Sequence, residues 1–270
     1  MFGKVLGRIF LQDYLGITDG DETPDTVTLS ELIETYPYWE GFTKQMPFKT
    51  KQLFTMFETS DVHQDIIKAM KNFDRVIVPF PYLKEILVRH GVNAHSIDYF
   101  TSQLIRERPQ VIEKVKDPDR LVFLYVGTND VRKNLKKLVK TFADYQRHLL
   151  IVKTNTDEGL VQSPHVKVII GKVNTKQMAS LYNMCDYVIS FTRGEGVGMP
   201  MLEANYFGKP IIAHDQGVFR DIKKLVDVEW HVLPSKEIPI DYSEVPPFLE
   251  KVFYGTWWEV EDDSIKGFMC

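Results

Sequence analysis

A chain of 270 residues with 44% hydrophobic content can bury one large core or two small ones. Its net charge of −4 excludes the global basic field that holds nucleic acid. Two cysteines, Cys185 and Cys270, form neither a metal-ligand spacing nor a disulfide framework, which fits a reducing compartment. The start, Met1 to Leu11, is broken by Lys4 and Arg8 and is too short and polar for a signal peptide. No run approaches the roughly 18 apolar residues of a membrane span, so the expected setting is cytoplasmic.

Residues 4–10 read as a first strand, and residues 16–28, acidic and rich in turn formers, as loop. Residues 29–46 hold Tyr36, Tyr38, Trp39 and Phe42 in an irregular pattern, open to a small satellite core or a binding surface. A strand over 52–57 leads into the polar cluster Glu58, Thr59, Ser60, Asp61 and His63. Ligands of open α/β sheets bind beyond the carboxyl ends of strands, which places this cluster beside a cleft. Capping of a helix to about Asn72 by Ser60 or Asp61 is the competing explanation. A strand over 75–79, a helix from Tyr82 to His90 ended by Gly91, and a short strand over 93–97 follow.

Pro118 and Asp119 mark a linker between a first domain, 1–117, and a second, 118–239. The strand over 121–126 ends in Gly127, and Leu135, Leu138, Val139 and Phe142 then define an amphipathic helix. Arg132 and Lys133 stand at its N-terminus, where the macrodipole disfavours cations. A ligand diphosphate sharing the site would offset that cost; two solvated charges are the alternative. Strands over 148–153 and 166–170 follow, then Asn174 and Gln177 as a capping box for a helix to Met184. Tyr187–Ser190 is a buried strand, and Pro200 suits the first position of a helix over 201–207. A strand over 209–213, a helix through Val226 and a strand over 228–232 complete an alternation that implies a parallel, doubly wound sheet.

The loop Phe191 to Gly198 between strand and helix organises the chain. A helix N-terminus favours an anion, and glycines let backbone approach it. Glu195 inside the loop and Glu203 eight residues on make poor sense in a bare phosphate cradle. They suit a ligand with hydroxyls as well, because a carboxylate accepts two hydrogen bonds from a diol. A sugar nucleotide carries both groups; an ordinary turn with solvated glutamates is the alternative. The glycines do not form a dinucleotide fingerprint, since position 199 is Met199, so NAD is not expected.

The E-x7-E spacing of Glu195 and Glu203, with Gly196-Val197-Gly198-Met199-Pro200 between them, resembles the signature of retaining GT-B glycosyltransferases of the family-4 type. Gly127, Arg132 and Lys133 are similar to the same family's phosphate-binding element, and the likeness extends over roughly residues 54–235. The resemblance implies an α/β GT-B fold, two Rossmann-like doubly wound domains facing a cleft. The N-terminal domain is abbreviated and lacks the family's acceptor-facing glycine loop. Residues from about 240 to 270, with Trp257 and Trp258 packing, would cross back to the first domain.

By the same resemblance Glu195 faces the donor sugar and Glu203 the ribose. The backbone of Gly196, Val197, Gly198 and Met199 holds the diphosphate, and Lys172 and Val173 lie against the base. Arg132, Lys133 and the helix N-terminus stabilise the leaving diphosphate, so neither metal nor cofactor is expected. Asp19-Gly20-Asp21 matches a metal-binding D-x-D but reads as turn chemistry. Thr59 and His63 are acceptor-side candidates. The implied partners are a UDP- or GDP-sugar and an acceptor glycan, lipid-linked sugar, protein or hydroxymethylated DNA base; a homodimer is compatible. Residues 1–117 carry 14 Lys and Arg against 17 Asp and Glu, which argues against DNA, and only Lys44, Lys49 and Lys51 with Phe42 and Phe48 form a basic–aromatic stretch. A nucleotide-sugar-binding module without turnover, or another enzyme on the same fold, are the competing readings.

Overall fold

The computed structural model describes residues 26–30, 33–45, 49–97, 101–113, 117 and 119–269. The expected strand over 4–10, the D-x-D at 19–21 and Phe48 lie outside them. The chain divides into two compact units, Met1–Phe100 with Ile240–Thr256 and Thr101–Pro239 with Trp257–Cys270.

In the first unit β1 (Thr26–Ser30), β2 (Thr50–Phe54), β3 (Arg75–Val78) and β4 (Ala94–Ser96) form a parallel sheet in that order. Residues 26–28, expected as loop, belong to β1: Thr26, Val27 and Thr28 pair with β2, and that pairing extends the β-branched run. The irregular stretch expected over 29–46 is instead largely α1 (Tyr36–Gln45), preceded by a 3₁₀ turn. Trp39 accounts for the difference. It is fully buried, bonds Thr35 Oγ1 through Nε1 at 2.8 Å and meets Phe73 edge-on, so tertiary packing overrides a weak helical pattern. Helix α2 spans Gln64–Met70 and α3 Pro81–Arg89. The cap of α2 is His63, not Ser60 or Asp61: its Nδ1 accepts the Asp65 N–H at 3.1 Å. Asp61 is engaged by His90 Nε2 at 2.6 Å, and Ser60 Oγ by Thr256.

The second unit holds a six-stranded, wholly parallel sheet in the order β10-β9-β8-β5-β6-β7. Its strands are β5 (Val122–Val126), β6 (Leu149–Thr154), β7 (Val166–Ile170), β8 (Tyr187–Ile189), β9 (Ile211–Ala213) and β10 (Trp230–Val232). Its helices are α4 (Gln103–Arg106), α5 (Leu135–Tyr145), α6 (Thr175–Met184), α7 (Met199–Tyr206) and α8 (Val218–Ile222). Helix α5 buries Leu135, Leu138, Val139 and Phe142, the stripe its spacing predicts, against Phe123, Leu150 and Val152. The Asn174–Gln177 capping box of α6 is present in full. The tail, where no strand was expected, pairs β11 (Ser235–Pro239) with β12 (Thr256–Val260) and ends in α9 (Lys266–Met269). Trp257 is fully buried there. No helix among the described residues is long and apolar enough to cross a membrane.

The chain enters the six-stranded sheet at β5, runs outward through β6 and β7, then returns to β8 on the other side of β5 and runs outward again. The order therefore reverses between β5 and β8, and ligands of such sheets bind beyond the carboxyl ends of the two strands flanking the reversal.

Candidate functional site

Two loops meet at that point, 127–134 after β5 and 190–198 after β8. The first is fixed by its own polar groups. Gly127 N–H donates to the Lys153 carbonyl at 3.0 Å, and a Cβ there would come within 2.6 Å of Tyr125 Oη, so only glycine fits. Asn129 N–H donates to Asn155 Oδ1 at 2.7 Å, and Asp130 Oδ1 accepts from Lys133 N–H at 3.0 Å. Asn134 takes a left-handed conformation, φ 53°, which asparagine tolerates, and starts α5. Arg132 and Lys133 thus stand just before the helix, at the N-terminus where the sequence pattern put them.

The second loop is tied to the first. Arg132 Nη1 donates to the Gly194 carbonyl at 2.7 Å, and Arg193 N–H to the Arg132 carbonyl at 2.7 Å. Thr192 Oγ1 donates to the same Gly194 carbonyl at 2.9 Å. Gly198, φ 64°, ends the loop against α8: a Cβ there would lie 2.6 Å from Ile222 Cδ1. Met199 and Pro200 are the first two residues of α7, where missing intrahelical N–H bonds cost nothing.

These ties bring Glu195 onto Lys133, whose Nζ donates to Oε1, and place Arg132 Nη1 3.8 Å from the same oxygen. The Lys133 and Glu195 side chains are only 12% and 11% exposed, and Arg132 is 8% exposed, so neither the two cations nor the glutamate are the solvated charges of the alternative readings. Burial pushes the Glu195 carboxyl up, but Lys133, Arg132 and a bond from Thr192 outweigh it and hold it below the usual carboxylate range. His214 lies buried beneath the loop. Its Nδ1 accepts from Gln216 N–H at 3.1 Å, which leaves Nε2 to donate to the Thr192 carbonyl at 2.8 Å. Burial depresses its pKa against the pull of Thr192 and Glu195, so the ring is neutral support for the loop.

Glu203, on α7, has partners of its own. Tyr182 Oη donates to its Oε2 at 2.7 Å, and Ser102, the cap of α4, bonds it too. Burial raises its pKa, and these two bonds only partly offset the rise. Lys172 and Val173 lie on the loop after β7, at the same carboxyl edge of the sheet, with Lys172 exposed and Val173 half-buried. Gly196 and Val197 are buried and Met199 half-buried. Thr59 and His63 belong to the first unit. Thr59 Oγ1 donates to the Asp61 carbonyl at 2.9 Å, while His63 caps α2 and stands edge-on to Tyr254.

The site also contains residues the sequence did not single out. Arg193 lies within the second loop and could have been suspected from its place between β8 and Glu195. Tyr182 and His214 act on the site from other elements, and Glu259 reaches Arg193 across 66 residues; no local pattern marks these three.

Residues 107–235 match the model of the family described as glycosyl transferases group 1. No curated sequence matches the chain. Among solved structures it is similar to TarM, with 12% identity over 78% of this chain and 44% of that one and a TM-score of 0.52. It is similar to sucrose-phosphate synthase from Thermosynechococcus elongatus, with 15% identity over 90% of this chain and 66% of that one and a TM-score of 0.57. The apo lipopolysaccharide outer core galactosyltransferase WaaB matches with 15% identity, 93% and 74% coverage and a TM-score of 0.54. At these identities the likeness establishes the fold, an α/β architecture of parallel sheets shared with GT-B glycosyltransferases. The chain spans less than half the length of TarM.

Proposed function

We propose that the chain moves a sugar from a nucleotide-diphosphate sugar to an acceptor hydroxyl, with retention at the anomeric carbon and without a metal. The observation that carries this reading is the convergence of Arg132, Lys133 and Glu195 at the carboxyl ends of β5 and β8, the place where an open α/β sheet takes its ligand. A desolvated Lys133–Glu195 pair is a site with an exchangeable anion. An incoming diphosphate offers Lys133 and Arg132 a denser negative charge, and Glu195, released from Lys133, turns to the sugar hydroxyls. As the glycosyl bond breaks, charge grows on the diphosphate, and the two cations with the α7 N-terminus stabilise it. Two fixed cations supply the charge that a divalent ion would otherwise supply.

Glu203 lies in the second turn of α7, and by the family resemblance it would take the ribose hydroxyls in exchange for the Tyr182 or Ser102 bond. Lys172 and Val173 would flank the base. The acceptor is a hydroxyl of a glycan, a lipid-linked sugar or a protein; the 14 Lys and Arg against 17 Asp and Glu of residues 1–117 speak against DNA.

The test is incubation with a panel of UDP- and GDP-sugars in the presence of EDTA, with the product anomer read by proton NMR. The reading expects release of nucleoside diphosphate from at least one donor and an axial or equatorial configuration matching that donor's. Inversion, a requirement for added metal, or turnover unchanged in both Glu195→Ala and Lys133→Ala contradicts it.

A further inference from the structure

Glu259, on β12, is placed where it ties both loops of the site together. Its Oε2 accepts from Arg193 Nε at 2.7 Å, and its Oε1 accepts from Lys137 Nζ at 2.7 Å and Asn134 Nδ2 at 3.0 Å. The three donors come from the loop after β8, the first turn of α5 and the last residue of the loop after β5. Burial works against ionisation of Glu259, yet the bonds from Lys137 and Arg193 prevail and hold its carboxyl below the usual range. Arg193 is gripped by β12 at its backbone as well, where the Trp258 N–H donates to its carbonyl at 3.0 Å. Its guanidinium lies 6.0 Å from the ring centroid of buried Trp257.

What Arg193 holds in turn is the backbone that carries the paired cations. Its N–H donates to the Arg132 carbonyl at 2.7 Å and its Nη1 to the Val131 carbonyl at 3.2 Å. A chain of bonds therefore runs from Glu259 through Arg193 to residues 131 and 132, and a second from Glu259 to Asn134. The third cation of the site, Arg193, is thereby committed to Glu259, leaving Arg132 and Lys133 to Glu195. We infer that Glu259 is a positioning residue: acting through Arg193, it sets the loop bearing Arg132 and Lys133 against the loop bearing Glu195. Its consequence for donor binding rests on the function proposed above. The tail strand is then part of the machinery of a site whose other members all lie before residue 215.

Hydrogen exchange in the full chain, followed for peptides covering 127–134 and 191–198, tests the coupling directly. Glu259→Ala is expected to speed exchange in both peptides by roughly tenfold. Asp262→Ala, which removes only the exposed second carboxylate partner of Lys137, is expected to leave them unchanged. In an Arg193→Ala background, Glu259→Ala should add less to the 127–134 peptide than it does in the wild type, because only the bond to Asn134 remains to be lost, an outcome that independent structural losses do not give. Should Glu259→Ala not fold, Glu259→Gln, which keeps one acceptor oxygen, is expected to speed exchange by about threefold. Exchange unchanged by the Glu259 variants, or losses that add in the double variant, overturns the inference. Calorimetric titration with inorganic pyrophosphate separates the two claims, with affinity expected to fall about tenfold in Glu259→Ala. A wild-type chain that shows the coupled exchange but binds no pyrophosphate upholds the positioning role and defeats the donor-site reading instead.

Discussion

Glu195 and Glu203 share one loop–helix unit, yet their surroundings push them in opposite directions. The Glu195 carboxyl sits below its ordinary value despite burial, and that of Glu203 above it because of burial. The linkage follows from those signs. For Glu195 the stabilisation is present above the unfolded carboxylate pKa, about 4.3, and is lost as pH falls through the lower folded value. For Glu203 the folded state holds its proton longer, so stability falls as pH rises from about 4.3 through the raised value. Urea melts across this range should separate them. Glu195→Gln, which strands the buried cations, is expected to cost about 3 kcal/mol near neutrality, with the gap to wild type closing in acid. Glu203→Gln should gain on wild type as pH rises. A common slope for the two variants would contradict these assignments. In the proposed reaction, Lys133→Ala is expected to lower donor turnover by about 100-fold, checked by steady-state kinetics on whichever donor the panel identifies.

At the scale of elements, the glycine and cap positions make separable predictions. Gly198 and Gly208 both have φ 64°, but only at Gly198 would a Cβ collide, with Ile222 and Phe219. Gly208→Ala is expected to cost about 1 kcal/mol for backbone strain alone, and Gly198→Ala about 3 kcal/mol, compared by thermal melting. Asn174→Ala should cost about 1 kcal/mol through loss of the capping box. That box was readable in the sequence because its two members stand three residues apart. So were the α5 stripe and the strand–loop–helix around Glu195, whose signals are equally local. Helix α1 was not, because it depends on burying Trp39 against Phe73 from a later segment. The cap of α2 was misplaced for a related reason: Asp61 is taken by His90, so the capping role passes to His63.

At the scale of the molecule, the reversal of strand order between β5 and β8 gives loops far apart in sequence a common position. The residues of each loop could be named beforehand, since each carries its own signature. Their pairing could not, because Lys133 and Glu195 meet across 62 residues and Arg193 and Glu259 across 66. A nucleoside diphosphate at 100 times its dissociation constant is expected to stabilise the unit carrying this site by about 2.7 kcal/mol, seen as a rise in its melting transition. The most direct measurement is calorimetric titration of UDP and of GDP into the wild-type chain and into Lys133→Ala. Saturable binding of one nucleotide by the wild type, weakened at least about tenfold in the variant, is the expected result. Failure of both nucleotides to bind, or equal affinity in the variant, would contradict a diphosphate site built on Arg132, Lys133 and Glu195.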